Sequence, residues 1–371
     1  MINPEEFYDC LIEHQLDFFT GVPDSLLKEF CSCVKENTST ERYIIAANEG
    51  NAIALGSGYH IATGKFGVVY MQNSGIGNAI NPLLSLADEE VYQIPMLLII
   101  GLRGEPGVQD EPQHVKQGKL TLPLLEVLGI TYYIVDDNYK ENIAYCYEYM
   151  KRAHKPIALV IRKDTFSTYR SYTKEISDLE LSREAVLENI ITNLTDDDFI
   201  ISTTGKTSRE VFELREKYNM GHGNDFLTVG SMGHASSLAL GISLFSDKNV
   251  ICVDGDGAFI MHMGGLGVAV QNANANFKYI LINNGCHESV GGQETIGFEI
   301  DVKQILIGLG FNKVFEIKSR KDLVENIKYL TSREKLAMVI YTNDRSRNDL
   351  GRPTTTPIEN KESFTLKLRG V

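Results

Sequence analysis

An α/β fold in two domains, each a mostly parallel sheet flanked by helices, is what this sequence predicts, and three observations carry the prediction. Short apolar runs alternate with longer amphipathic stretches, the pattern of strands and crossover helices in a covered parallel sheet. The alternation is broken once, over the polar, Ser-, Thr- and Tyr-rich segment Lys163–Arg183, and then resumes. The 371 residues suffice for two such domains. The expected division is a first domain over 1–165, a linker over 166–184 and a second domain over 185–371.

In the first half, strands are expected at Tyr43–Ala46, Phe66–Met71, Met96–Gly101, Tyr132–Val135 and Ile157–Ile161, since each is a short β-rich apolar run. Helices are expected between them, at Asn51–Ile61, Ile76–Leu86 and Lys140–Arg152. In the second half the strand pattern recurs at Phe199–Ser202, Phe226–Val229, Val250–Val253, Tyr279–Ile282, Lys313–Ile317 and Ala337–Tyr341. From Asn348 the chain is polar and carries Pro353 and Pro357, which reads as an extended C-terminal tail.

Composition excludes several function classes. Hydrophobic residues at 43% and charged residues at 23% are ordinary for a globular protein, and no apolar run reaches membrane-spanning length. The acidic start Met1-Ile2-Asn3-Pro4-Glu5-Glu6 is unlike a signal peptide, so a cytoplasmic protein is expected. The net charge of −13 argues against nucleic-acid binding, which needs a basic face, and leaves room for an anionic small molecule held by a few focused cations. The six cysteines show no CxxC spacing, so free thiols are expected rather than a zinc or redox site.

The most informative segment is Val253-Asp254-Gly255-Asp256-Gly257-Ala258, where a β-rich run ends in Gly-Asp-Gly and an apolar, helix-like stretch follows to about Val270. Glycines at such a corner let backbone approach a ligand, and Asp256 is an oxygen donor suited to a hard cation. Residues 258 to 282, 25 in all, then separate Gly257 from Asn283-Asn284. That interval fits one helix and one returning strand, which brings the two amides back to the same sheet edge. An EF-hand does not fit, because Ala258 and Gly265 fall at ligand positions. A P-loop does not fit Gly205-Lys206-Thr207, because the earlier glycine position is Ile200. Plain turn chemistry of Asp, Asn and Gly is the remaining alternative.

Gly-Asp-Gly followed at this interval by Asn-Asn resembles the signature of thiamine diphosphate enzymes. By that resemblance the two domains are thiamine diphosphate-binding-type domains, a pyrimidine-binding domain first and a diphosphate-binding domain second. The expected cofactors are thiamine diphosphate and Mg2+. Asp256 and Asn284 would be side-chain metal ligands and Cys286 a main-chain ligand, with Asn283 bracing the turn. Such enzymes also need a carboxyl group beside the cofactor's aminopyrimidine. The segment Ile44–Tyr59, with one acid at Glu49 between a strand and a small-residue helix, is similar to the segment that supplies it. Glu49 is therefore expected to be catalytic and cofactor-binding; a helix-start acid favoured by the helix dipole is the other reading. The family resemblance implies a homodimer at least, with active sites at subunit interfaces.

Several further segments narrow the resemblance to the phosphonopyruvate and sulfopyruvate decarboxylase group. They are Gly21–Ser25, Arg103-Gly104, Asp110–His114, Thr203–Glu210, Gly230–Ala235, Asn283–Gln293 and Asp349–Pro357. The implied reaction is decarboxylation of a small 2-oxo acid, 3-phosphonopyruvate above sulfopyruvate, with carboligation and a non-catalytic role as more distant alternatives. Cys286 stands where the group's pattern has alanine. On this resemblance Asp24, Ser25, Gln113 and His114 are candidate substrate residues, His114 also a catalytic one. Gly205, Lys206, Ser231, Met232, Gly255, Gly257, Ala258 and His287 join Asp256 and Asn284 as candidate cofactor residues. Ser25 as a helix cap, His114 as a helix-start histidine and Lys206 and Arg209 as solvated helix charges are the structural alternatives.

Overall fold

The computed structural model describes residues 1–169 and 178–371, and these fall into two compact units. One holds residues 1–169 and 287–293, the other 178–286 and 294–371.

The first unit runs α1 (Pro4–Glu13), β1 (Phe19–Gly21), α2 (Lys28–Asn37), β2 (Tyr43–Ile45), α3 (Glu49–Thr63), β3 (Gly67–Gln72), α4 (Ile76–Pro82), β4 (Met96–Gly101), α5 (Pro112–Val127), β5 (Thr131–Ile134), α6 (Tyr139–Ala153) and β6 (Ile157–Ile161). Its six strands form a parallel sheet in the order β2-β1-β3-β4-β6-β5. Side chains of a strand alternate between faces, so each strand must be apolar on both sides to be covered twice. Val68, Tyr70, Leu97 and Ile99 enter one core with Phe7, Phe30 and Met150. Val69, Met71, Leu98 and Ile100 enter the other with Ala52, Ile76 and Leu125. This is why the strand runs are continuous in the sequence rather than alternating.

The second unit runs α7 (Arg183–Asn193), β7 (Asp198–Ser202), α8 (Lys206–Lys217), β8 (Asp225–Leu227), α9 (Ala235–Leu244), β9 (Asn249–Gly255), α10 (Asp256–Met261), α11 (Met263–Asn272), β10 (Phe277–Asn283), α12 (Val302–Leu309), β13 (Val314–Ile317), α13 (Arg320–Asn326), β14 (Leu336–Tyr341) and α14 (Pro357–Arg369), while the short strands β11 (Cys286–His287) and β12 (Gln293–Glu294) stand at the two ends of the segment 287–293. The main sheet is again six-stranded and parallel, in the order β13-β14-β10-β9-β7-β8. Ile251, Val253 and Ile280 face α7 and α8, while Cys252, Tyr279 and Leu281 face α9 and α11. Among the described residues no helix is long and apolar enough to cross a membrane. All six cysteines are free, five of them buried.

Three expectations are corrected. The C-terminal tail is not wholly extended, because α14 forms within it. Thr356 and Glu359 make a capping box, Pro357 takes the first helical turn where its missing N–H is harmless, and Phe364 buries against Phe199 and Phe226. The polar stretch and its prolines concealed a helix start. The single helix expected after Gly-Asp-Gly is two, because His262 leaves helical geometry (φ −137°, ψ 43°) between α10 and α11. The expected helix Ile76–Leu86 widens into a π-turn over Leu83–Ala87 just after Pro82, where proline removes a donor from the ladder.

The stretch expected as linker is ordered at both described flanks. Phe166 is buried and pairs with Ile2, and Ser182 caps α7; residues 170–177 of that stretch lie outside the described residues.

Lys278, at the amino end of β10, is fully buried, and its ammonium donates to the Ala275 carbonyl (3.2 Å). Burial pushes its pKa down to about 8 from 10.5. Between those values the unfolded chain binds the proton more tightly, so the native protein gains stability from this residue as pH rises. Lys278→Met, which lacks that gain, is expected to be more stable than the native chain at pH 7 by on the order of 2 kcal/mol. The advantage should shrink as pH is raised toward 10.5. Urea unfolding at several pH values checks this, and a pH-independent difference would contradict it.

Candidate active site

Both sheets are parallel, so each delivers all its strand-to-helix turns to one edge. Ligands of such sheets bind where the strand order reverses direction. In the second unit that point lies between β7 and β9, neighbours in the sheet whose chains leave in opposite directions. The turn after β7 is Thr203–Gly205 and the turn after β9 carries Gly255-Asp256-Gly257. Thr203 links the two, its N–H donating to the Val253 carbonyl (2.8 Å) and its side chain bonding Asp254.

Asp256 is the first residue of α10 and is buried. Burial pushes its carboxyl up to about 6, against hydrogen bonds from Thr295 and from the main-chain N–H groups of Asp256, Gly257 and Asn284. The last of these brings Asn284 directly against Asp256. Asn283 braces this corner: its Nδ2 donates to the Gly297 carbonyl (2.6 Å) and its Oδ1 accepts from Gly285 N (3.2 Å). A Cβ on Gly297 would lie 2.6 Å from Asn283 Oδ1 and 3.0 Å from Asp256 Oδ2, so the close approach requires glycine. Asn284 Oδ1 accepts from Cys286 N (3.2 Å).

Among the described residues no three His, Cys, Asp or Glu side chains converge. A metal here would rely on one carboxylate, an amide oxygen and a main-chain carbonyl. These are oxygen donors only, and they fit a hard divalent ion rather than zinc. Burial favours the neutral form of this carboxyl, and a cation beside it would favour the charged one.

Around this corner the remaining candidates fall into place unevenly. Gly205, at φ 95°, caps α8, so that Lys206 opens a three-turn helix with its N–H groups toward the same edge. Lys206 Nζ donates to Ser346 Oγ (2.6 Å). The loop Gly230–His234 carries Ser231 at φ 49° and Met232 half-buried. Gly233 presses this loop onto α10, since a Cβ there would lie 2.9 Å from the Ala258 carbonyl and 2.7 Å from the His262 ring. Ser231, Met232, Gly255, Gly257 and Ala258 are therefore brought together. His287, counted with the first unit, has its imidazole pushed down to about 4 by burial.

In the first unit the strand order reverses between β1 and β3. Glu49 opens α3 directly after β2 and is buried, with Asn48 capping the helix through Asn51 N (3.0 Å). Asn78 Nδ2 donates to Glu49 Oε2 (2.7 Å). The other oxygen lies on Gly75, where a Cβ would come within 2.3 Å of it.

Asp24 is wholly enclosed. It accepts from Gln72 Nε2 (2.6 Å) and Leu26 N (3.1 Å), and a Cβ on Gly101 would sit 2.1 Å from its Oδ2. Burial raises its pKa, with Gln72 and then Arg103 acting against the rise. Ser25 Oγ accepts from Arg103 Nη1 (2.7 Å), which leaves the hydroxyl proton to point elsewhere. Arg103 also makes a two-pronged pair with Asp110 (2.8 and 2.5 Å), and Asp110 further accepts from the N–H groups of Gly104 and Glu111 (2.8 Å each). These contacts hold the Asp110 carboxyl well below its usual range. They fix the loop that leads to Gln113 and His114 in the first turn of α5. His114 Nδ1 and Gln113 Oε1 are buried with no partner among the described residues. Burial, then Arg103, push the His114 imidazole down.

Sequence reasoning gave no role to Gln72, Gly75, Asn78, Arg103, Asp110 or Thr295. Arg103 and Asp110 were visible within motifs, whereas Asn78 and Thr295 reach Glu49 and Asp256 across 29 and 39 positions with no local signal.

Comparison with known proteins finds a family match in each unit. Residues 5–122 match the family described as thiamine pyrophosphate enzyme, N-terminal TPP binding domain, and residues 203–341 match thiamine pyrophosphate enzyme, C-terminal TPP binding domain. A phosphonopyruvate decarboxylase of Streptomyces viridochromogenes is 31% identical over 363 residues, covering 93% of this chain and 89% of that protein. Another, from Streptomyces hygroscopicus, is 30% identical, covering 93% and 88%. A sulfopyruvate decarboxylase of Methanosarcina acetivorans is 25% identical, covering 91% of each.

Gly75→Ala should displace the Glu49 side chain, since an added Cβ would lie 2.3 Å from its Oε1 and 2.5 Å from both Cδ and Cγ. If Glu49 is the catalytic acid expected from the sequence, turnover should fall by about 100-fold. Steady-state kinetics beside a thermal melt checks this; a variant with native turnover would contradict it.

Proposed function

Because the chain belongs to the phosphonopyruvate decarboxylase family of thiamine pyrophosphate enzymes, we propose that it is a carboxy-lyase converting 3-phosphonopyruvate to phosphonoacetaldehyde and CO2, with Mg2+ as its metal. The observation that carries the reading is the contact of Asn284 with the buried Asp256 at the ends of two paired strands, on a chain that also carries Glu49. Asp256, Asn284 and the Cys286 carbonyl would hold the metal, and the start of α8 with Lys206 would face the diphosphate. Bound thiamine diphosphate supplies the nucleophile and electron sink that decarboxylation of a 2-oxo acid requires.

The protein's own residues then have distinct tasks. Glu49 holds a proton at the aminopyrimidine N1′, and Asn78 and Gly75 fix which way its carboxyl points. His114, whose imidazole burial and then Arg103 push down, is suited to pass on a proton rather than to retain one. Ser25, with its acceptor side taken by Arg103, donates to an anionic oxygen of the substrate. Gln113 orients that oxygen from the first turn of α5, next to His114. Asp24, expected from the sequence to meet substrate, is wholly buried and is read instead as holding Gln72 and the strand-end turn. Met232 lies beside α10 as an apolar support for the cofactor.

The active enzyme is read as a homodimer or larger homo-oligomer. Residues 235–246 and 257–272 carry no Asp, Glu, Lys or Arg, and within them Leu238, Leu244, Phe245 and Val268 are exposed. Such an uncharged helix surface favours a second copy as its cover. Sulfopyruvate decarboxylation is the second reading, supported by the Methanosarcina relative.

Aldehyde and CO2 release from phosphonopyruvate, sulfopyruvate and pyruvate at equal concentration, with Mg2+ and thiamine diphosphate, tests the reading. Phosphonopyruvate is expected to be preferred, by a protein sedimenting as at least a dimer, and Glu49→Gln to lose about 100-fold or more. Preference for sulfopyruvate would transfer the assignment to the second reading. Inactivity with all three acids despite bound cofactor would overturn both.

A further inference from the structure

The chain that follows β14 does not simply leave the second unit. Thr342 is fully buried, and its N–H donates to the carbonyl of Asn283, the first amide of the Asn-Asn pair (2.9 Å). Asn343 is tied to the segment before α7, its N–H to the Leu181 carbonyl (2.8 Å) and its side chain to the Leu179 carbonyl (3.1 Å). The chain then reaches the start of α8, where Ser346 Oγ accepts from Lys206 Nζ (2.6 Å).

The next residue, Arg347, faces three carboxylates at once. Its Nε donates to both oxygens of Glu184 on α7 (2.9 and 3.1 Å), its Nη2 to Glu213 on α8, and its Nη1 to Asp349 (3.1 Å). Gly351 N donates to the second oxygen of Glu213 (2.6 Å). Beyond this, α14 is seated by Asn360, whose side chain bonds the Asp225 carbonyl (2.8 Å) and Leu227 N (3.0 Å).

Residues 342–352 thus form a strap from the edge of the Asn-Asn corner to the start of α8, anchored at both ends. An isolated exposed ion pair contributes little. A guanidinium shared among two helices and its own strap instead leaves the strap one seating, and that seating places Ser346 against Lys206.

We propose that Ser346 and Arg347 are positioning residues for the diphosphate site: Ser346 fixes the Lys206 ammonium, and Arg347 holds Ser346 in place. This rests on the reading of Lys206 as a diphosphate-facing residue. The flexible lysine stem would otherwise have to be ordered when the anion binds, and a fixed ammonium avoids that entropy loss. The strap touches none of the residues assigned to proton transfer, so its loss should appear first in cofactor affinity.

Calorimetric titration of thiamine diphosphate, with Mg2+ present, into the purified chain tests this. Ser346→Ala and Arg347→Ala are each expected to weaken binding by roughly 3- to 10-fold, less than outright loss of a charged hydrogen bond. In a Lys206→Met background neither should weaken it further, the signature of action through that lysine. Arg347→Lys, which keeps the charge but not the fork, should fall between native and alanine, and thermal melts exclude unfolding as the cause. Native affinity in both variants, or losses undiminished in the Lys206→Met background, would overturn the strap's role while the cofactor reading stands. Failure of the native chain to bind would overturn the cofactor reading and the strap's role with it.

Discussion

Parallel strand pairing is the constraint on which the rest of this molecule depends. Every pair in the two main sheets is parallel, so every strand of a unit releases its chain at the same edge. Residues far apart in sequence are thereby gathered without any being placed in a loop of unusual length. In the first unit that edge collects Asp24, Glu49, Gly75, Arg103 and His114; in the second it collects Lys206, Ser231, Asp256 and Asn284. The cost of parallel pairing is that both faces must be covered, and the continuous apolar runs of β3, β4, β9 and β10 meet that demand.

At each edge, charge is handled by fixed partners rather than by solvent. Asp110 takes four donors from Arg103, Gly104 and Glu111, which turns a surface loop into a rigid lead for Gln113 and His114. Asp256 meets Thr295 and three main-chain N–H groups, enough to seat it and not enough to offset its burial. The first arrangement is neutralised within the unit. The donors around the second are neutral, and its neighbour Asn284 offers a further oxygen for a cation.

How much of this was legible in the sequence follows from the range of the interactions. Met96–Gly101 and Ile157–Ile161 were read at their observed bounds because buried parallel strands announce themselves in consecutive residues. Gly-Asp-Gly and Asn-Asn were legible because their spacing is the length of one helix and one strand. Alpha-helix 14 was missed because its signals, Thr356, Pro357 and Glu359, also spell a polar tail, and only Phe364 meeting Phe199 distinguishes the two. The break at His262 was hidden inside a uniformly apolar run. Asn78, Thr295 and Ser346 are ordinary polar residues whose partners lie 29, 39 and 140 positions away, so no local pattern could mark them.

The central claim is that Asp256 anchors a metal that in turn secures a diphosphate. Measuring the Mg2+ dependence of thiamine diphosphate binding in native and Asp256→Asn protein tests it most directly. Native protein should bind a single cofactor per chain only when a divalent ion is present, and the variant, matched in thermal stability, should lose at least about tenfold in affinity, as expected for loss of a charged ligand. Cofactor bound equally well by the variant, or by native protein stripped of divalent ions, would contradict the account.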